Sequence, residues 1–117
     1  MWCSRPRRLG TRERLHLVAG NALEQIAALA PQRPFDLISI SNIADWMSAA
    51  QFAEAMLLAR ECLAPGGAVL ARTATGSPMI VEVMRKYLGV DDALNAALPR
   101  IERGPWFRVV NAGFKPA

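Results

Sequence analysis

The fold is decided by two stretches, PFDLISISNIADWMS at residues 34–48 and LAPGGAVLAR at residues 63–72, with a helical run between them. The apolar run at residues 35–40 predicts a strand buried on both faces of a parallel sheet, because such strands are almost continuously apolar. Residues 68–71 predict a second strand, and a helical crossover between two strands makes them parallel. Together the two stretches predict a β-α-β unit.

The helix of this unit has clear sequence signals. Ser48 is a good N-cap with Gln51 three residues later, as in a capping box, and Met47 and Phe52 are spaced as a hydrophobic staple. The sequence PGG at residues 65–67 predicts the end of the helix and a tight turn. One helical face is formed by the apolar positions Phe52, Ala55, Met56, Ala59 and Leu63.

These stretches carry a resemblance to a known family. FDLI, a helix and LAPGGAVL together resemble the second half of class I S-adenosylmethionine-dependent transferases. The longer segment DLISISNIADWM at residues 36–47 is more specific. It resembles the S-adenosylmethionine:diacylglycerol 3-amino-3-carboxypropyl transferases, which begin betaine-lipid synthesis, and their relatives. The matching segments lie within residues 15–75, about half of the chain.

The resemblance implies both a fold and an activity. The fold is α/β, an incomplete Rossmann-like (class I methyltransferase-type) sheet of three to four mainly parallel strands with flanking helices. The implied enzyme binds S-adenosylmethionine as cofactor and moves its 3-amino-3-carboxypropyl group to a lipid hydroxyl of the diacylglycerol type. It would be cytoplasmic, with peripheral contact to a membrane surface. Methyl transfer is the alternative enzymatic reaction, since the sequence does not show which carbon is attacked.

The chain also departs from the family pattern. Such transferases carry upstream a glycine-rich loop, which approaches the cofactor, and an acidic residue, which holds its ribose. No G-x-G occurs in this sequence. We therefore expect the chain to be the carboxyl-terminal part of the enzyme without its main cofactor loop. A non-catalytic remnant or subunit that acts by association is the alternative from another class of function.

Polar residues at the strand ends are the first candidates for the site. Ser41 and Asn42 end the first strand and Arg72 ends the second, at the sheet edge where ligands bind in open α/β sheets. Ser41 and Asn42 are predicted to hold the amino-acid end of the cofactor or the acceptor, although both residue types also stabilise turns without a ligand. Arg72 is predicted to bind a substrate carboxylate bidentately, or else to form a surface salt bridge.

Two further candidates follow the first strand, and a third precedes it. Asp45 is the only carboxylate in the segment after the strand and is the candidate general base, with an ordinary turn residue as the alternative. Trp46 is predicted to cover the cofactor or line an acyl pocket, or to pack in the core. By the resemblance Asn21 lies near the adenine of the cofactor, while Glu24 three residues later indicates a simple helix N-cap.

The upstream strand raises a question of sheet order. Residues 15–19 predict a short strand, in which His16 is a packed or surface residue rather than a base. In a full transferase sheet, further strands separate this strand from the one at residues 35–40. We expect the two to close up in a compact sheet with helices on both faces. The alternative is an unpaired edge, which would favour homodimerisation.

Charge and composition limit the remaining possibilities. Residues 1–14 hold five arginines and one glutamate, so their balance of +4 equals the formal net charge of the whole chain. We expect a solvated, disordered arm there and a partial transferase domain at residues 15–117, with no specific nucleic-acid partner. Cys3 and Cys62 lie far apart and the chain has one histidine, so no metal-ligand spacing exists. No apolar run approaches the ~20 residues that span a bilayer.

The carboxyl-terminal third predicts two more helices and a strand. Ser77 and Pro78 begin a helix that ends near Gly89, with Met79, Val83 and Tyr87 facing inward. Asp91 caps a short helix that ends before Pro99. Residues 106–110 predict the last strand, and residues 111–113 predict the turn that follows it.

Overall fold

The computed structural model describes residues 15–102 and 109–117. Within this part the elements are α1 (Ala22–Leu29), β1 (Phe35–Ser41), a 3₁₀ helix (Ile43–Trp46), α2 (Ala49–Cys62), β2 (Leu63–Thr73), α3 (Pro78–Tyr87), β3 (Gly89–Val90), α4 (Asp92–Ile101) and β4 (Val109–Phe114). The architecture is α/β, and the predicted β-α-β unit is present as β1, α2 and β2.

The four described strands form one mixed sheet in the order β1-β2-β4-β3. β1 pairs with β2 in parallel, whereas β4 is antiparallel to both β2 and β3. The expectation of mainly parallel pairing is therefore wrong. The helical crossover forces a parallel arrangement only on β1 and β2. The connection through α4 returns the chain in the opposite direction.

Helices cover both faces of the sheet, as expected. Ile38 and Val69 pair on the face that packs against α1 and α2. On the same face Gly113 lies against the side chains of Met84 and Leu88, which belong to α3 and its C-cap. α4 lies on the opposite face. The largest fully buried side chains of the described core are Phe52, Met56, Leu63, Ile80, Met84, Val69 and Thr73.

The helix of the β-α-β unit confirms its sequence signals. The Ser48 hydroxyl accepts the Gln51 N–H at 3.2 Å, and the Gln51 side chain accepts the Ser48 N–H at 2.9 Å, which completes the capping box. The buried face of α2 consists of Phe52, Ala55, Met56, Ala59 and Cys62. This stripe belongs to the buried core, together with Ile38 of β1 and Val69 of β2.

The PGG sequence does not form the predicted turn between helix and strand. α2 ends at Cys62 and β2 begins at Leu63, so the glycines lie inside the strand at a register shift opposite β1. Gly66 has a φ of +79°, which favours glycine. A Cβ on Gly67 would lie 3.0 Å from the carbonyl oxygen of Phe35. The glycines therefore allow β1 and β2 to approach closely at a bulge.

The predicted strand at residues 15–19 is absent, and β1 is more exposed than expected. Residues 15–19 have no regular secondary structure, so His16 does not lie in a strand, and Leu17 is 90% exposed. β1 pairs only with β2 among the described residues, and its Leu37 is 57% exposed. The closed-up sheet is therefore wrong. The alternative, an unpaired β1 edge, holds among the residues that the structure describes.

Three boundaries in the carboxyl-terminal third differ from the predictions. Leu88 is the C-cap of α3, and Gly89 already belongs to β3. α4 continues through Pro99 to Ile101, because a proline near a helix end removes only one of its last hydrogen bonds. Residues 111–113 lie inside β4 rather than in a turn. Residues 106–108 of the predicted last strand lie outside the described residues.

Candidate functional site

The carboxyl ends of β1 and β2 form one polar edge of the sheet. Ser41 and Arg72 are direct partners in the β1–β2 register, so their side chains lie on the same face. The Asn42 N–H donates to the carbonyl oxygen of Arg72 at 3.0 Å and continues the pairing past the end of β1. The structure thus brings together three of the predicted site residues, Ser41, Asn42 and Arg72.

Asn42 has an unusual backbone conformation. Its φ is +63°, and it is the one non-glycine residue with positive φ among those that the structure describes. Asparagine tolerates this left-handed region better than most residues, at a modest cost. Its side chain makes no capping bond to the 3₁₀ helix. Its left-handed backbone and its position at a strand end make Asn42 a candidate for the site.

Asp45 connects the segment after β1 to the segment after β2. Its carboxylate accepts the Ala74 N–H at 2.9 Å, the Thr75 hydroxyl at 2.7 Å and the Thr75 N–H at 3.4 Å. Burial raises the pKa of the Asp45 carboxyl, but these hydrogen bonds outweigh that effect and hold the pKa below its ordinary value of 3.8. Occupied oxygens and a low pKa suit an anchor better than a base. The general-base role stays a prediction.

Arg72 is partly engaged. Its Nε donates to Glu102 Oε2 at 2.7 Å, and the two side chains are 32% and 15% exposed. One edge of the guanidinium is thereby held by the end of α4, while its terminal amino groups have no hydrogen bond among the described residues. Glu102 therefore orients Arg72 at the polar edge and leaves donors for an anionic group.

Trp46 lines an open groove between α1 and α2, and the lining does not include Ser41, Asn42 or Arg72. The groove has a volume of about 600 Å³. Its lining residues are Leu23, Ile43, Trp46, Met47, Gln51, Glu54, Ala55 and Leu58. Trp46 is 88% exposed, which excludes the alternative that it packs in the core. Below the groove lies an enclosed cavity with entirely apolar lining, bounded by α1, β1 and α2.

Asn21 acts as a helix cap. Its side-chain oxygen accepts the Glu24 N–H at 3.2 Å at the start of α1, as the alternative interpretation expected. Ala22, the next residue, lines the enclosed cavity together with Ile40 and Ile43. The cap and the end of β1 are thus neighbours across that cavity. The interaction of Asn21 with an adenine stays a prediction.

Sequence reasoning missed two residues of the polar edge. Thr75 and Glu102 lie 30 residues from their partners Asp45 and Arg72, and no local pattern indicates such pairs. Thr73 is fully buried beside them, and its hydroxyl has no hydrogen-bond partner among the described residues. Only the position of Thr73 and Thr75 at a strand end could have marked them as candidates.

Other kinds of site find no support in the described residues. Burial, with a smaller effect of Glu61, raises the pKa of the Cys62 thiol, so the thiol stays protonated near neutral pH. Among residues 15–102 and 109–117, no group of three or more His, Cys, Asp or Glu side chains could hold a metal ion. In the same ranges no helix has both the length and the apolar character needed to cross a membrane.

Comparison with known proteins gives no further assignment. No protein-family model, no curated protein and no solved structure matches this chain. The interpretation of the site therefore depends on its geometry and on the sequence resemblance given above.

Proposed function

We propose that this chain is the carboxyl-terminal part of an S-adenosylmethionine-dependent transferase that acts on a lipid hydroxyl. The observation that carries the proposal is the polar edge of the β1–β2 pair, where Ser41, Asn42 and Arg72 converge. Ligands of open α/β sheets bind at such an edge. The partly free guanidinium of Arg72 adds hydrogen-bond donors for a carboxylate. The side-chain oxygen of the left-handed Asn42 adds an acceptor for an amine.

The residues present fit one end of the cofactor and not the other. Arg72 and the amide of Asn42 suit an amino-acid carboxylate and ammonium, and Ser41 adds a hydroxyl. Asn21 is a candidate for the adenosine end, and Trp46 either covers the cofactor or lines the acyl pocket. The glycine-rich loop is missing from the sequence, so another segment would have to supply those contacts. When bound, S-adenosylmethionine supplies a sulfonium-activated carbon as the electrophile, with a neutral thioether as the leaving group.

In this proposal the protein contributes positioning. Glu102 orients the guanidinium of Arg72, and Asp45 fixes the Ala74–Thr75 backbone beside it. Holding a carboxylate in place would direct the arm of the cofactor toward an acceptor hydroxyl. The apolar groove beside Trp46 would take the acyl part of a lipid acceptor. Such an acceptor implies a cytoplasmic protein that touches a membrane surface.

Calorimetric titration with S-adenosylmethionine tests the proposal. We expect micromolar binding to the wild type and a loss of about tenfold or more in Arg72→Gln, because a charged hydrogen-bond pair is removed. Asn42→Gly removes the side-chain amide, and glycine adopts the same left-handed backbone readily. A loss of affinity in this variant would therefore report a lost contact with the ligand and not a change in the backbone. Arg60→Gln, on an exposed position of α2, is the matched control.

Two outcomes would contradict the proposal. One is no detectable heat from a folded sample, and the other is equal affinity in the wild type, Asn42→Gly and Arg72→Gln. If binding occurs, the reaction products with a lipid acceptor decide between the two transfers. Methylthioadenosine reports transfer of the aminocarboxypropyl group, and S-adenosylhomocysteine reports methyl transfer, the alternative enzymatic reaction.

The second candidate is a non-catalytic subunit that acts by association. It is favoured by the outer edge of β1, which has no strand partner among the described residues, and by the exposed Leu37. Sedimentation of the wild type would then show a homodimer. Leu37→Lys should abolish it, and Leu57→Lys, an exposed position on α2, should not. A monomeric wild type at all concentrations would reject this candidate.

A further inference from the structure

The groove between α1 and α2 combines an aromatic face with a single charge. Trp46 is 88% exposed at the groove, and Glu54 is the only charged residue among those that line it. Glu54 forms no ion pair within the described residues. Gln51, the other polar side chain of the lining, is already engaged as an acceptor for the Ser48 N–H. An unpaired carboxylate and an indole thus face the same apolar space.

We propose that this groove binds an amphiphilic organic cation, with the ammonium or sulfonium group at Trp46 and Glu54. Aromatic faces attract such cations through the ring quadrupole, and quaternary ammonium groups bind at exposed tryptophans in this way. The carboxylate of Glu54 supplies the matching charge. The apolar walls, which include Leu23 and Leu58, accommodate the hydrocarbon part of the ligand.

The volume of the groove agrees with a ligand of this size. At about 600 Å³ it falls within the range of small-molecule sites. The inference goes beyond the proposed function, because it requires neither the transfer reaction nor the residues of the polar edge. The two proposals share this groove, which the proposed function assigns to the acyl part of a lipid acceptor.

The test uses octyltrimethylammonium as the probe, with octyl sulfate and octyl glucoside as anionic and neutral controls, all below their micelle concentrations. Binding to the full chain is followed by calorimetry. We expect the cation to bind more tightly than either control. Trp46→Leu keeps the groove apolar and removes the aromatic face. It should lower the affinity for the cation about two- to fivefold and leave octyl glucoside unchanged.

A carboxylate variant tests the charge independently. Glu54→Gln should weaken binding of the cation about two- to fivefold at low salt, with a smaller effect at high salt. Glu61→Gln, at an exposed position two turns further along α2, is the matched control and should have no effect. Asn42→Gly and Arg72→Gln should also leave binding of the cation unchanged, which separates this site from the proposed cofactor site.

Four results would overturn the proposal. They are equal binding of the three probes, no binding of the cation, equal effects of Glu54→Gln and Glu61→Gln, and loss of probe binding as protein concentration rises. The first would indicate a groove for neutral apolar ligands. The last would indicate that a second copy of the chain covers the groove.

Discussion

The Asp45 anchor allows a quantitative prediction. Asp45→Asn keeps the shape of the side chain and removes its charge. The Asn oxygen can still accept the Ala74 N–H, and the Thr75 hydroxyl can reverse to accept from the new NH₂ group. The substitution therefore removes the contact with the Thr75 N–H and the charge assistance to the other two bonds. We expect a loss of about 1–2 kcal/mol in the free energy of unfolding near neutral pH.

The pH dependence of this loss has a defined sign. The pKa of Asp45 in the folded protein lies below its ordinary value of 3.8, so the carboxylate form favours folding. Its stabilising contribution is present above that ordinary value and disappears as pH falls through the lower pKa of the folded state. The difference between wild type and Asp45→Asn should therefore be full at about pH 7 and shrink as pH falls below 3.8 and through the lower pKa of the folded state.

Urea denaturation followed by far-UV circular dichroism measures both quantities. Asp36→Asn is the matched control, because Asp36 is exposed and its side chain makes no hydrogen bond among the described residues. Equal stability of the wild type and Asp45→Asn at neutral pH would refute the anchor. If the difference in the free energy of unfolding did not diminish in acid, the charge of Asp45 would not be its cause, and the substitution would act through the shape of the side chain.

Four further substitutions test the packing of the sheet. Gly67→Ala places a Cβ 2.8 Å from the carbonyl oxygen of Ala64 and should lower the free energy of unfolding by about 2–4 kcal/mol. Gly66→Ala has open space around the new Cβ and should cost about 1 kcal/mol, because of its positive φ alone. Urea titrations that rank the two variants in reverse would refute the close approach at the bulge. Asn95→Ala removes the acceptor of the Ala112 N–H at 2.9 Å and should cost about 1–3 kcal/mol, measured by the same titration, and hydrogen exchange at Ala112 should accelerate. Thr73→Val replaces the buried hydroxyl that has no partner among the described residues and should raise the free energy of unfolding by about 1 kcal/mol, so a destabilised variant would mean that the hydroxyl is bonded.

The sequence predicts the β-α-β unit well because its signals are local. The capping box of Ser48 and Gln51 and the apolar face of α2 depend only on residues within a few turns. The same is true of the caps at Ser77 and Asp91, which begin α3 and α4. Local hydrogen bonds and periodicity are sufficient to define where these helices begin.

The errors arise where a distant partner decides the outcome. Residues 15–19 have the composition of a strand, but a strand is stable only beside a neighbour, and these residues pair with no described strand although the outer edge of β1 is open. Residues 111–113 contain asparagine and glycine and so predict a turn, yet pairing with β2 keeps them extended. The direction of β4 likewise follows from tertiary packing, which no periodicity in the sequence indicates.

The candidate site shows the same division. The positions of Ser41, Asn42 and Arg72 at one sheet edge could be predicted, because parallel strands bring their carboxyl ends together. The bonds from Asp45 to Ala74 and Thr75 and the ion pair of Arg72 with Glu102 could not, since they join residues about 30 positions apart. The exposure of Trp46 was also undetermined, because a tryptophan after a strand is compatible with core and surface alike.

The position of β4 has a consequence for the order in which the protein folds. β4 lies between β2 and β3 in the sheet but follows both of them in the chain. During synthesis the β-α-β unit can form early from contacts close in sequence. β3 cannot join the sheet until residues 109–114 have emerged, and until then the inner edge of β2 stays open to other chains. The nascent protein thus depends on β4 to cover this edge of β2.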